Sequence, residues 1–332
     1  MKGVFFCADK KSVNRVYSES MKQSLATDYN VPDKIFTKSD LEKDADALKD
    51  AECIFTTWGM EHLTENEIEK YFPNLKHVFY AAGSVQTFAK EFLNKGISVH
   101  SAWKANAVPV AEYTYAQILL ATKGYFTSQR MRRFNHFGAS KFSNNCGGNY
   151  HAKIGIIGVG VIGTLVAEKL AANDVDVFYY DPFLDKQKAE KLGIKEMSLE
   201  EMFSQCDVIT NHLADKDELK GVLNYSLFSK MKKYATFINT GRGRQINEKD
   251  LAKALKKVKT RTALLDVTFP EPISPFNPLA RMKNVFITPH IAGSNGREVE
   301  RMAEYMYEES KLIEKGEAPI YSVSLDMLKT MA

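Results

Sequence analysis

The chain has 332 residues, 44% hydrophobic and 26% charged, with 45 Lys and Arg against 41 Asp and Glu for a net charge of +4. That length exceeds one comfortable core and predicts two domains, and the unbiased composition is that of a globular protein. The small, scattered charge excludes a dedicated nucleic-acid binder, and no apolar stretch is long enough to span a bilayer.

The first hundred residues alternate two periodicities. Residues 4–7, 53–56, 77–80 and 98–100 read as strands, and residues 63–71 and 88–93 read as helices between them. This predicts a small α/β domain with a parallel sheet. The apolar run at the N-terminus is too short for a signal peptide. Cysteines at 7, 53, 146 and 206 form no CxxC pair, so a reduced, cytoplasmic protein is expected, with Cys7, Cys53 and Cys206 as small core residues. His62, His77, His100, His136 and His151 lack metal-ligand spacing, and no metal is expected.

A long helical pattern follows from about residue 108 to 134, opened by Pro109 and Glu112, with Arg130, Arg132 and Arg133 on a solvated face. An Asn- and Gly-rich loop leads from it into the β-branched residues 153–157. There the turn Gly158-Val159-Gly160-Val161-Ile162-Gly163 precedes a helical run, then a second strand over residues 175–180 that delivers Asp181. This is the strand–turn–helix–strand context of a dinucleotide fingerprint. Gly158 permits the tight bend, Gly160 lets backbone approach a pyrophosphate, and Gly163 allows close helix–strand packing. Asp181, about 20 residues on, suits the two ribose hydroxyls of an adenosine and repels a 2′-phosphate, which favours NAD over NADP.

Beyond Asp181 the alternation continues, with strand-like residues 208–210, 235–238, 263–265 and 285–287. Residues 249–261 read as a helix with a lysine-rich solvated face, and residues 294–315 as an amphipathic helix. Arg242, Asp266 and His290 stand just past three of these strands, where an open parallel sheet binds its ligand, and are expected to converge on the cofactor. A histidine exchanges a proton with an alcohol or ketone oxygen, Glu271 can orient it, and the Arg242 fork suits a carboxylate. Asp266, acceptor-only when ionised, suits a nicotinamide amide.

Taken together, Gly158–Gly163 with Asp181, the run Asn239-Thr240-Gly241-Arg242-Gly243, the run from Asp266 to Pro272, and Thr288-Pro289-His290-Ile291-Ala292-Gly293 resemble the D-isomer-specific 2-hydroxyacid dehydrogenase family. Asn106, the run Val110-Ala111-Glu112 and the loop from Ala81 to Val85 match as well, so the similarity covers nearly the whole chain. The resemblance implies a Rossmann-type NAD-binding domain, residues 104–294, inserted into a smaller flavodoxin-like α/β substrate domain formed by residues 1–103 and 295–332. It implies hydride transfer between NAD(H) and C2 of a small D-2-hydroxy or 2-oxo acid, with His290 and Glu271 as the acid/base pair and Arg242 binding substrate. Backbone N–H groups of Gly83, Ser84 and Val85 would meet the substrate carboxylate. Val161 and Ile162 would contact the pyrophosphate, Thr240, Gly241, Asp266 and Gly293 would line the nicotinamide side, and His212 would serve the adenosine side through its backbone. A homodimer through the long entry helix is implied, with no nucleic-acid or membrane partner.

Several positions depart from the family pattern. Thr56-Thr57-Trp58-Gly59 stands where an Arg-Ser pair is common, removing one contact for a phosphate, and Trp58 reads equally as core aromatic or specificity residue. Ala214 replaces a usual proline. Glu271 stands where formate-oxidising members have glutamine, which argues against formate. A 3-phosphoglycerate dehydrogenase is the near alternative, and a non-catalytic NADH-sensing corepressor-like protein the distant one.

Overall fold

The protein is described by a computed structural model over residues 1–328. It divides into two compact units, one made of Met1–Asn106 with the segment from Ser294 onward, the other of Ala107–Gly293. The division falls inside the helix Trp103–Thr122, after Asn106, and again directly after Gly293.

The first unit is built on six strands: β1 (Gly3–Phe6), β2 (Ile35–Phe36), β3 (Cys53–Thr56), β4 (His77–Tyr80), β5 (Ser98–Ser101) and, far along the chain, a strand at Ser322–Val323. Their order is Ser322–Val323, β5, β4, β3, β1, β2. β1 and β3 are buried along their whole length, as expected of a sheet covered on both faces. The five leading strands pair in parallel. The sixth corrects the expected all-parallel sheet: Ser322–Val323 pairs antiparallel with β5, Ser322 opposite His100 and Val323 opposite Val99. A two-residue strand carries no periodicity, so only the tertiary pairing reveals it.

Helices of this unit start where side chains cap them. Asp9 Oδ1 accepts from Lys11 N and Ser12 N at the head of Lys10–Val16, and Thr64 with Glu67 forms a capping box for Glu65–Tyr71. The core joins Phe5, Phe55 and Phe79 of the sheet to Val299, Met302, Ala303 and Met306 of the returning segment.

The second unit holds a fully parallel seven-stranded sheet. Its strands are β6 (Lys153–Ile157), β7 (Asp176–Tyr180), β8 (Lys195–Glu196), β9 (Val208–Asn211), β10 (Thr236–Asn239), β11 (Thr262–Leu265) and β12 (Val285–Ile287), and Ser322–Val323 is therefore β13. The order is β12-β11-β10-β9-β6-β7-β8. The chain winds outward in one direction from β6 through β7 and in the other from β9, which makes the carboxyl ends of β6 and β9 a topological switch point, the ligand-binding position of doubly wound sheets.

Two sequence expectations are corrected here. The single helix expected over residues 108–134 is instead Trp103–Thr122 followed by Tyr125–Arg132 and then His136–Asn144. The break lies at Gly124, which adopts φ +65 and where a Cβ would come within 2.5 Å of Cys146 Sγ. The helix expected over residues 249–261 is Glu248–Lys257, and Arg261 is not on its solvated face. Arg261 is 6% exposed, and its guanidinium donates to the carbonyls of Ser229, at 2.9 Å, and Met231. A basic residue at a strand entrance thus satisfies orphan carbonyls at the end of the short helix Tyr225–Phe228.

Candidate active site

The Gly-rich turn leaves β6 with Gly158 at φ +85, in the left-handed region where glycine is unstrained. A Cβ on Gly158 would lie 2.9 Å from the His212 carbonyl, and one on Gly163 would lie 2.2 Å from the Gly158 carbonyl oxygen. Both glycines are therefore demanded by the protein itself. A Cβ on Gly160 would meet nothing within 4 Å. Gly160 borders open space at the head of helix Val161–Leu170, whose first N–H groups, including those of Val161 and Ile162, have no i−4 partner inside the helix. Open space at a helix N-terminus with unpaired N–H groups is what a pyrophosphate requires, so the turn fits a dinucleotide.

Asp181 follows β7 directly. Its Oδ2 accepts from Val159 N at 2.8 Å and its Oδ1 from Phe183 N at 2.9 Å. Each oxygen keeps a lone pair for a ribose hydroxyl while the carboxylate braces the turn. Directly after β9, which pairs with β6, His212 N donates to Ile157 O at 2.7 Å. Its imidazole is buried, 3.0 Å from Thr210 Oγ1 and 3.4 Å from Thr240 Oγ1, and desolvation pushes its pKa down to about 3. The ring is neutral and packs inside the unit. Thr240 also meets Thr114 Oγ1 at 3.0 Å, so its hydroxyl is engaged within the protein.

Arg242 stands on the turn after β10. Its side chain is 40% exposed, with Nη1 donating to Gly241 O at 3.0 Å. The turn rests on buried amides: Asn211 Nδ2 donates to Asn239 Oδ1 at 2.9 Å, and Asn239 Nδ2 to Arg242 O at 3.1 Å. Gly241 N donates back to Asn239 Oδ1 at 3.1 Å. Gly243 packs backbone to backbone on the loop after β11, where a Cβ would sit 2.1 Å from the Thr268 carbonyl carbon. The Arg242 turn and the loop carrying Glu271 are thereby pressed together.

Asp266 leaves β11 and is 2% exposed. Oδ1 accepts from Thr288 Oγ1 at 2.6 Å and from Ile291 N at 2.9 Å, and Oδ2 from Ala292 N at 2.9 Å. His290 N donates to Asp266 O at 3.0 Å. These bonds hold His290 at φ +54, a left-handed conformation that costs a side-chain-bearing residue roughly 1–2 kcal/mol. From there His290 Nδ1 reaches Glu271 Oε2 at 3.1 Å, with the imidazole 51% exposed. Nε2 has no protein partner among the described residues. The peptide bonds preceding Pro270 and Pro272 in the Glu271 loop are both cis. Gly293 closes this unit directly after Ala292.

In the first unit, the loop after β4 carries Gly83, Ser84 and Val85, whose backbone N–H groups make no hydrogen bond among the described residues. Their loop is held from behind: Ser101 Oγ lies 2.9 Å from Ala82 O and 2.6 Å from Gly83 O, and Thr57 Oγ1 donates to Ala81 O at 2.7 Å. Trp58 is half-buried against the core of this unit, with the Arg15 guanidinium 5.8 Å from its ring centroid.

The structure thus brings Glu271, His290 and Asp266 together, seats Arg242 on the adjoining turn, and turns the imidazole of His212 inward. Sequence reasoning missed Tyr113 and Thr288, whose hydroxyls meet at 2.9 Å and extend the Asp266 network, and missed Asp215, which lies 3.5 Å from Arg242 Nε. Thr288 had a signal, since it lies in the quoted Thr288–Gly293 run; Asp215 had none. Burial raises the thiol pKa of Cys53 and Cys206 to about 12 and that of Cys146 to about 11, so these thiols are protonated and supply no nucleophile.

Comparison with known proteins gives a consistent result. The family model for the D-isomer specific 2-hydroxyacid dehydrogenase NAD binding domain matches residues 115–292. A D-3-phosphoglycerate dehydrogenase of Archaeoglobus fulgidus is 35% identical over 201 residues, 60% of this chain but 38% of that protein's length. A protein of Staphylococcus haemolyticus named as a 2-hydroxyacid dehydrogenase is 30% identical over 281 residues, 84% of this chain and 87% of its own. Among solved structures, a phosphoglycerate oxidoreductase from Rhizobium etli shares the fold, with a TM-score of 0.81 at 20% identity over 98% of this chain and 99% of its own.

Proposed function

The chain belongs to the D-isomer specific 2-hydroxyacid dehydrogenase family and carries its NAD-binding domain, and on that premise we propose that it transfers a hydride between NAD(H) and C2 of a small D-2-hydroxy acid or 2-oxo acid. The observation that carries the proposal is the 3.1 Å pairing of His290 Nδ1 with Glu271 Oε2, which leaves Nε2 without a protein partner among the described residues. Gly158, Gly160, Val161, Ile162, Gly163 and Asp181 would hold the dinucleotide, with Asp266, Gly241 and Gly293 on the nicotinamide side. When bound, NADH supplies the hydride.

In the reducing direction, Arg242 binds the substrate carboxylate. Within the first unit, the N–H groups of Gly83, Ser84 and Val85, unpaired among the described residues, are by themselves suited to an anionic group. His290 Nε2 would give its proton to the oxygen on C2 as the substrate's carbonyl is reduced to a hydroxyl. Glu271 keeps the imidazole in the tautomer and orientation this needs and stabilises its cationic form. The product would be a 2-hydroxy acid, and in the reverse direction His290 would remove its hydroxyl proton.

The test is the loss of NADH absorbance with a panel of glyoxylate, pyruvate, hydroxypyruvate and branched 2-oxo acids. Turnover of at least one, abolished in His290→Ala, supports the reading; no turnover of any rejects it. Phosphohydroxypyruvate belongs in the panel, because identity with the archaeal phosphoglycerate dehydrogenase favours a phosphorylated substrate as the second reading. Activity confined to the phosphorylated compound would select it. Phe134 and Phe137, 91% and 86% exposed, support a homodimer through this part of the second unit, which light scattering on the purified protein tests.

A further inference from the structure

Arg242 is part of an ion chain that none of the expected roles requires. Its Nε lies 3.5 Å from Asp215 Oδ2, on the loop that follows β9. The other oxygen of Asp215 is taken by Arg244 Nε, and Arg244 Nη1 pairs with Asp217 at 2.5 Å. Charges therefore alternate along Arg242, Asp215, Arg244 and Asp217. The same two segments are joined again by uncharged, fully buried groups. Gln245 Nε2 donates to Leu213 O at 3.0 Å and Ala214 O at 2.7 Å, while its Oε1 accepts from Asn211 Nδ2 at 2.7 Å. Asn211, Asn239 and Gln245 are each 0% exposed. The loop bearing Asp215 is thus fixed to the turn bearing Arg242 by a satisfied buried network, which sets where that carboxylate stands.

From this geometry we propose that Asp215 is the positioning residue for Arg242, with Arg244 as the counter-ion that keeps it in that role. The inference rests on the reading that Arg242 binds the substrate carboxylate. A half-exposed arginine samples many rotamers, and ordering it on substrate binding costs affinity. An anion beside Nε, together with Gly241 O on Nη1, orients the guanidinium beforehand and leaves Nη2 for the substrate. A carboxylate next to a substrate-binding arginine also threatens to compete for it by gripping the fork with both oxygens. Arg244 prevents that by holding the second oxygen, so Asp215 contributes one oxygen to each guanidinium. Asp217, 94% exposed and paired among the described residues only with Arg244, is peripheral to this arrangement.

The experiment compares Asp215→Ala, Asp215→Asn, Asp215→Glu, Arg244→Ala and the Asp215→Ala/Arg244→Ala pair in the full-length protein, with Arg242→Ala as reference and Asp217→Asn as control. KM and kcat for the best 2-oxo acid are measured beside NADH affinity by fluorescence and the melting temperature. Asp215→Ala should raise KM about fivefold, the scale of a partly exposed ion pair, with NADH affinity and melting temperature unchanged, and Asp215→Glu should restore it. Arg244→Ala should raise KM as well, and the double variant should be no worse than the poorer single one. An unchanged KM in Asp215→Ala beside a severe Arg242→Ala overturns the inference alone. An unaffected Arg242→Ala instead removes the assignment of Arg242, and the inference with it. A fall in NADH affinity or melting temperature in step with KM, in both the Ala and Asn variants, overturns the positioning role in favour of a structural one.

Discussion

Asp266 holds His290 both directly and through the two residues after it: the Asp266 carbonyl accepts from His290 N at 3.0 Å, and the carboxylate accepts from Ile291 N and Ala292 N at 2.9 Å each. The geometry of the imidazole is set one strand away from the imidazole. Asp266→Ala keeps the backbone carbonyl that His290 N uses but removes the acceptor of Ile291 N and Ala292 N, at about 1–3 kcal/mol for a buried group left unpaired. We expect a lower melting temperature together with at least about a tenfold loss of kcat, since misplacing a reacting group by an ångström has effects of that order or larger. A normal kcat in a folded Asp266→Ala protein would show that His290 is held by other means.

Removing the proton carrier itself should be more severe. His290→Ala is expected to lower kcat by about 10²–10⁴ while leaving NADH affinity nearly intact, because general acid–base catalysis contributes on that scale. Glu271→Gln keeps the hydrogen-bonding reach but not the charge, and should fall between that variant and the wild type. Steady-state kinetics beside NADH titration distinguishes the two effects.

The glycines of the turn should separate folding from binding. Gly163→Ala places a methyl group 2.2 Å from the Gly158 carbonyl oxygen and should lower the melting temperature markedly. Gly160→Ala meets no protein atom within 4 Å, so the fold should survive while NADH affinity falls through obstruction of the pyrophosphate position. Equal effects of the two variants on melting would contradict this division.

Acid should destabilise the first unit. His77, 3.4 Å from His100, has its pKa lowered to about 4 by burial and by the neighbouring imidazole. Burial raises the pKa of Glu309, but hydrogen bonds from His100, Ile320 N and Tyr321 N outweigh it and leave the carboxyl below its ordinary value. For His77 the unfolded chain binds a proton near pH 6.5 that the folded chain refuses until about pH 4, so stability falls as pH drops through that interval. The Glu309 contribution has the same sign, present above the unfolded carboxyl pKa and lost as pH falls towards the folded one. The melting temperature should therefore decline from pH 7 to pH 4, and His77→Phe, which preserves the stacking on Phe79, should flatten the upper part of that decline.

How much of this was legible beforehand depends on where the information lies. The β6 turn could be read because its glycines fall within a few residues of one another, Gly158 and Gly163 demanded by close backbone contacts and Gly160 left facing open space. The roles of Arg242, Glu271 and His290 could be proposed because each lies in a run of matching residues. The helix break at Gly124 was hidden, since an apolar pattern continues on both sides of it and only a left-handed residue and the packing of Cys146 end the helix. Arg261 looked like part of a solvated basic stripe; the carbonyls that draw it inward belong to residues about thirty positions earlier. Asp215 had no local signal at all, because the relation that singles it out is an ion pair between segments separated by a whole strand and helix.

The first unit draws β1 to β5 from the opening stretch of the chain but takes Met302, Met306 and Val323 of its core from residues made more than two hundred positions later. During synthesis the second unit, contiguous in sequence, has all its strands available before the first can finish its own interior. The early αβ layers keep an apolar face uncovered until the helix Glu300–Glu314 has been made to seal it.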